Sequence, residues 1–237
     1  NMSSDLPVYD SETTLILLMA LRKISTLCKL AIQNLKYPND TPIVAIQRAS
    51  QRDQRVVFST LAEAASKRNP FEGLLTPVTF VVGHTVSSRK TNLKVWCSST
   101  AKKLPSKLFL VGAGPGDPSL LSLKALRLVR EADVVICDSL VLKPMSSLRD
   151  DMIVRPKKQS DVNALIRHYL SLNKSVVRLK TGDPCMYGRV SAELESVTKD
   201  TVYAVPGIST AMVASLYANI LTTVRNIANR VVILSGV

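Results

Sequence analysis

The sequence predicts an α/β protein of two domains, each a sheet flanked by helices. Three observations predict it. The stretch 108–128, LFLVGAGPGDPSLLSLKALRL, runs a short apolar strand into a glycine turn and then into apolar residues at helical spacing, Leu120, Leu121, Leu123, Leu126 and Leu128. On either side of it, short apolar runs alternate with helical patterns, as they do where helices pack on sheets. Between the two series lies 89–106, RKTNLKVWCSSTAKKLPS, a polar and basic stretch with the single Trp96, which has the character of a linker.

In chain order, 1–12 is polar loop. The continuous apolar run at 13–21, TTLILLMAL, predicts a buried strand, and 22–35 a helix on the spacing of Ile24, Leu27, Leu30, Ala31 and Leu35. After the turn YPNDT come strands at 42–47 and 55–59, a helix at 61–67, loop at 70–76 and a strand at 77–83. The pattern restarts at Lys107: a strand and helix over 108–128, strands at 132–137 and 152–154, a helix at 162–172 and a strand at 175–179. A short helix at 193–198, a strand at 201–205, a helix at 210–219 and a last strand at 230–234 complete it.

The glycines of the opening turn, Gly112, Gly114 and Gly116, depart from the dinucleotide spacing, because the third position of that pattern is Asp117. A carboxylate there repels phosphate, yet it suits the positive end of a helix dipole and can cap the helix. The turn is shaped either for a ligand without phosphate or simply as a tight strand-to-helix corner.

Composition narrows the function. The longest apolar run, at 15–21, is too short to cross a bilayer, and 1–10 lacks the basic and apolar regions of a signal peptide, so no membrane partner and a cytoplasmic setting are expected. Cys28, Cys97, Cys137 and Cys185 are scattered without ligand spacing, which fits reduced thiols and no metal site. Only two histidines are present, His84 and His168. The charge is 31 basic against 18 acidic residues, and the surplus is spread over both halves, 14 against 7 before Lys107 and 17 against 11 from there on. Even spreading and 5% aromatic content argue against nucleic acid. A cleft receiving a small polycarboxylate fits the surplus better.

Four blocks in the second half, GAGPGDPSLLSLKAL, ADVVICDSLV, VVRLKTGDPCMYGR and VPGIST with SLYANILTTVR, together resemble the tetrapyrrole (corrin/porphyrin) methylases. They stand in that family's order and cover 107–237. The first half resembles the same family's second domain, in its fungal form, through TTLILLMALRKIS, TPIVAIQRASQRDQRVVFSTL and VTFVVGHTV. The halves are thus in circularly permuted order: 1–88 with the last strand, 229–237, as the family's second domain, 89–106 as linker, and 107–228 as its first. The resemblance implies two α/β domains with the active-site cleft between them, a homodimer, and S-adenosylmethionine as methyl donor. It implies C-methylation of uroporphyrinogen III to precorrin-2 on the route to sirohaem. The alternatives are a corrin-precursor or ribosomal RNA methyltransferase of the same fold, or a non-catalytic subunit that binds the donor.

The resemblance also assigns residues. Pro115, Thr181, Gly182, Asp183, Met186, Ser209, Thr210, Met19 and Ala49 would contact S-adenosylmethionine. The residue types suit that work: Gly182 lets backbone approach, Asp183 can accept hydrogen bonds, and Met19 and Met186 offer soft apolar contact. Asp138, at the end of a strand, would accept the proton and Lys157 would donate one. Arg178, Arg189 and Arg225 would clamp the substrate's carboxylates. The chain departs from the family at Thr181 and Ala49, each where glycine is usual, at Leu18 in place of Tyr, at Pro156, and in GRVSAELE after the site loop.

Overall fold

In a computed structural model, the described residues are 6–49, 51, 53–87, 94–95, 103–138, 141, 153–154, 156, 158–197, 202–227 and 230–234. The chain divides into two compact units, Asn1–Lys90 and Thr91–Val237.

The first unit carries a four-stranded sheet in the order β1-β4-β2-β3, formed by β1 (Leu15–Leu18), β2 (Pro42–Gln47), β3 (Arg55–Thr60) and β4 (Val78–Val82). Every pairing in it is antiparallel. One face packs under α1 (Ile24–Asn34) and α2 (Leu61–Ala65), where Ile24, Leu27, Ala31, Leu61, Phe71 and Phe80 close a core. Fully burying an aliphatic or aromatic side chain of this size contributes about 1.5–3 kcal/mol. Helix α2 starts on a capping box, with the Thr60 hydroxyl accepting from Glu63 N and the Glu63 carboxylate from Thr60 N. The buried strand expected over 13–21 is shorter and buried on one face alone: Ile16 and Leu18 are exposed, and the left-handed Met19 (φ 54°) ends it. A continuous apolar run does not distinguish a strand covered on both faces from an edge strand with one face open.

The second unit is a parallel sheet of six strands in the order β5-β10-β6-β9-β7-β8. These are β5 (Lys94–Val95), β6 (Leu108–Gly112), β7 (Val134–Cys137), β8 (Ile153–Val154), β9 (Val176–Lys180) and β10 (Val202–Val205). Strand β5 comes from the stretch expected to be linker. Alternation along the strands sends Phe109, Val111, Val135, Val177 and Leu179 to one face, against Ala125, Leu128 and Val129 of α3 (Leu123–Glu131). Leu108, Leu110, Ile136 and Val176 go to the other face, against Val162 and Ile166 of α4 (Gln159–Ser171) and the partly buried Val190 and Leu194 of α5 (Val190–Leu194). Both faces are covered, as a parallel sheet requires. Helix α6 (Thr210–Tyr217) buries no residue.

Two expectations are corrected here. The helix anticipated from Ser119 is interrupted: Asp117 caps a single 3-10 turn, Pro118–Leu120, and α3 starts afresh on a Ser122 cap. The strand expected over 230–234 is not formed. Among the described residues, 230–234 join no strand ladder, and Val232 and Leu234 stand 78% and 83% exposed. Strand propensity alone does not make a strand without a neighbouring strand to pair with. Among the described residues, no helix is long and apolar enough to cross a membrane.

Candidate functional site

Because β6, β7, β9 and β10 are parallel, their C-terminal ends open on one edge of the second unit, where open α/β sheets bind ligands. Three of the segments leaving that edge are locked together through glycine. A Cβ on Gly112 would stand 2.5 Å from both Cα and N of Gly207, so backbone packs on backbone there. Gly114 (φ 74°) and Gly182 (φ 67°) take left-handed conformations and pair with each other: Gly182 N donates to Gly114 O at 2.8 Å, and Gly114 N to Gly182 O at 3.2 Å. Asp183 completes the junction. Its Oδ1 accepts from Cys185 N at 2.8 Å and its Oδ2 from Gly207 N at 3.1 Å.

The opening turn is braced from its other end by Asp117. Its Oδ1 accepts from the Ser119 N–H at 2.8 Å and the Ser119 hydroxyl at 2.6 Å, and its Oδ2 from the Tyr217 hydroxyl at 3.2 Å. The Ser119 hydroxyl, and then its N–H, hold the Asp117 carboxyl below the usual carboxylate range. Asp117 is therefore spent on the turn and on α6.

Beneath this edge lies a buried charge cluster. Arg178 and Lys180 share one face of β9 and are 4% and 2% exposed, while Glu193 of α5 is fully buried against them. Glu193 Oε1 accepts from Lys180 Nζ at 2.7 Å and from Arg178 Nε at 3.0 Å. Arg178 Nη1 donates to Ile136 O at 3.2 Å, and its Nη2 lies 3.8 Å from Asp138 Oδ2. Burial pushes the Lys180 ammonium down from its ordinary pKa, and Glu193 pulls it partly back. Asp138 follows β7, is 30% exposed in its side chain, and is tied to β9 by its own N–H, which donates to Leu179 O at 2.9 Å.

The residues singled out in the sequence divide into groups. Pro115, Thr181, Gly182, Asp183, Met186, Ser209 and Thr210 all lie on the three segments at this edge, and Asp138 follows a fourth strand there. The Ser209 hydroxyl meets Met186 Sδ at 3.1 Å. Among the described residues, the buried Thr181 Oγ1 has no hydrogen-bond partner. Met19 and Ala49 belong to the first unit, where Leu18 of β1 and Ile46 of β2 both pair with Thr79, so the two segments leave their sheet at the same edge. Met19 is 92% exposed. Lys157 lies outside the described residues. Arg189 is exposed in a left-handed conformation (φ 53°) ahead of α5, and Arg225 is exposed in a turn beyond α6. The clamp role expected for Arg178 meets a side chain directed inward: it is 4% exposed, its Nε and Nη1 are held by Glu193 and Ile136 O, and its Nη2 faces Asp138. Lys180 and Glu193 were missed. Two cations two residues apart on an otherwise apolar strand fit a buried carboxylate partner and a substrate-facing pair alike, so the string alone does not single them out.

A family model described as Tetrapyrrole (Corrin/Porphyrin) Methylases matches residues 4–65 and 107–236. The chain is 44% identical over 142 residues to a sirohaem synthase of Acinetobacter baylyi, covering 55% of this chain and 31% of that protein. To the uroporphyrinogen-III C-methyltransferase of Bacillus subtilis it is 37% identical over 142 residues, covering 55% of each. A solved uroporphyrin-III C-methyl transferase from Thermus thermophilus, complexed with S-adenyl homocysteine, is 37% identical with a TM-score of 0.46, over 52% of this chain and 56% of that one. The chain thus spans about a third to about half the length of these relatives.

Proposed function

The chain belongs to the tetrapyrrole (corrin/porphyrin) methylase family, and from that premise we propose that it transfers methyl groups from S-adenosylmethionine to carbon atoms of uroporphyrinogen III, giving precorrin-2 on the route to sirohaem. The observation that carries this reading is the glycine junction of Gly112, Gly182 and Gly207 beside Asp138, at the C-terminal edge of a parallel sheet.

The residues at this edge fit such a donor. The orphaned Thr181 hydroxyl has hydrogen-bonding capacity left for a ligand's polar groups, and the part-exposed Met186 thioether offers a soft contact for its apolar and sulfur atoms. Pro115 shapes the turn, and Ser209 and Thr210 head α6. Asp183 acts by holding the loop, since both of its oxygens already accept from loop N–H groups. Bound there, S-adenosylmethionine supplies a methyl group already activated by its sulfonium. What remains for the chain is to orient the two partners, exclude water and take up one proton. Asp138 takes that proton on a carboxylate oxygen as the methylated macrocycle gives it up from a ring N–H or bridge C–H, and Lys157 is the candidate proton donor. Arg189 and Arg225, both exposed, are the candidate clamps for a substrate rich in carboxylates, consistent with the chain's surplus of 13 positive charges.

We further propose a homodimer in the cytoplasm, and an order of halves that is circularly permuted relative to fungal relatives. The reading rests on the order of the motif blocks in the sequence, and the family model matches the chain in two stretches, 4–65 and 107–236. Peptide mapping of the natural protein tests the order: a peptide running from 80–88 through 107–115 is expected, and an N-terminus at Lys107 overturns it.

The function is tested by incubating the protein with methyl-labelled S-adenosylmethionine and either uroporphyrinogen III or ribosomal RNA. Label in the tetrapyrrole fraction is expected. Label in RNA, or donor binding with no product in either, overturns the assignment.

A further inference from the structure

The buried cluster is more than a neutralised core defect, because its fourth member is Asp138. Two cations, Arg178 and Lys180, face two carboxylates, Glu193 and Asp138, so the formal charges balance. The Arg178 guanidinium is planar, with donors in fixed directions. Nε is fixed by Glu193 at 3.0 Å and Nη1 by the Ile136 carbonyl at 3.2 Å, which aims Nη2 at Asp138 Oδ2, 3.8 Å away. Glu193 is itself held, by Lys180 Nζ at 2.7 Å and by Gln159 Nε2 at 3.5 Å, while Asn163 Nδ2 ties α4 to Ala192 O at 3.1 Å. A continuous set of contacts therefore runs from α4 and α5 through the sheet to one carboxylate oxygen at its open edge.

We propose that Arg178 is a positioning residue, which orients the Asp138 carboxylate for proton uptake and does not bind substrate. The inference rests on the reading of Asp138 as proton acceptor. Glu193 and the Ile136 carbonyl fix the guanidinium, the guanidinium attracts the Asp138 carboxylate from 3.8 Å, and the consequence falls on turnover and not on affinity.

Arg178→Met is the variant to use, because it leaves Lys180 and Glu193 as a balanced pair in the core. It is expected to lower kcat by about 10- to 100-fold, the scale on which misplacing a reacting group acts, with KM for uroporphyrinogen III and the donor Kd within about twofold. Combined with Asp138→Asn it adds no further loss, since a residue that acts through another has nothing to act on once the other is gone. A readout independent of turnover is the 13Cγ resonance of Asp138, assigned by its absence in Asp138→Asn, which is expected to move in Arg178→Met without ligand.

A rise in KM of about tenfold with kcat kept would make Arg178 a clamp after all and overturn the inference. Losses that multiply in the double variant, or an unmoved Asp138 resonance, overturn it while leaving Asp138 as acceptor intact. If Asp138→Asn alone keeps kcat within about twofold, the acceptor reading fails and the inference falls with it.

Discussion

At the scale of single residues, the site depends on where charge is buried. Glu193 is shared by two buried cations, and among the described residues its second oxygen has no hydrogen-bond partner. Removing its charge leaves Arg178 and Lys180 facing each other, whereas removing Arg178 leaves a matched pair. Breaking a buried ion pair by removing one partner costs about 3–5 kcal/mol. Glu193→Gln is therefore expected to lower Tm by roughly 10 °C or more, and Arg178→Met by less than half as much, in parallel thermal melts. Equal falls would contradict this division of roles. None of it was legible in VVRLKTGD as a string. An arginine and a lysine there read equally well as solvated or substrate-facing groups, and only the partner 13 to 15 residues downstream decides that they face inward. Asp117 shows the opposite case: a carboxylate at the third position of a glycine pattern can cap, and it does cap, though on the 3-10 turn Pro118–Leu120 and not on α3.

At the scale of elements, the β6–turn–α3 unit and the strands β7, β9 and β10 were legible because runs such as LFLV, VVIC and VVRLK are short, apolar and bounded by turn residues. What periodicity could not supply was pairing. It gave no sign that the first sheet is antiparallel, that Lys94–Val95 joins the second sheet, or that 230–234 joins no strand among the described residues. Pairing between β7 and β9 is fixed at its start by a polar clamp. Ser175 N and Oγ donate to Asp133 Oδ2 at 2.7 and 2.8 Å, and Asp133 N donates to Ser175 Oγ at 2.9 Å. The Ser175 N–H is the main reason the Asp133 carboxyl lies below its ordinary value of 3.8. A carboxyl lowered by folding adds stability that is present above the unfolded value and lost as pH falls through the folded one. Asp133→Asn is therefore expected to lower stability at neutral pH and to flatten the acid end of the stability–pH curve below about pH 4. An unchanged acid slope would mean that the clamp adds nothing.

At the scale of the whole molecule, the chain joins two units, Asn1–Lys90 and Thr91–Val237, and each sends residues named in the sequence to one edge of its own sheet. The family was legible because its motifs sit in the turns that leave those edges, where glycine, proline and acidic residues have little freedom to be anything else. The basic surplus was legible too, and it agrees with a polycarboxylate substrate. The central claim is that the glycine junction holds a methyl donor beside a proton-accepting Asp138. It is tested most directly by comparing the unaltered chain with Asp138→Asn in two measurements on the same samples: calorimetric binding of S-adenosylmethionine, and transfer of its labelled methyl to uroporphyrinogen III. The account predicts donor Kd values within about twofold of each other and a transfer rate at least about 100-fold lower in the variant. Equal transfer rates, or no donor binding by the unaltered chain, would contradict it.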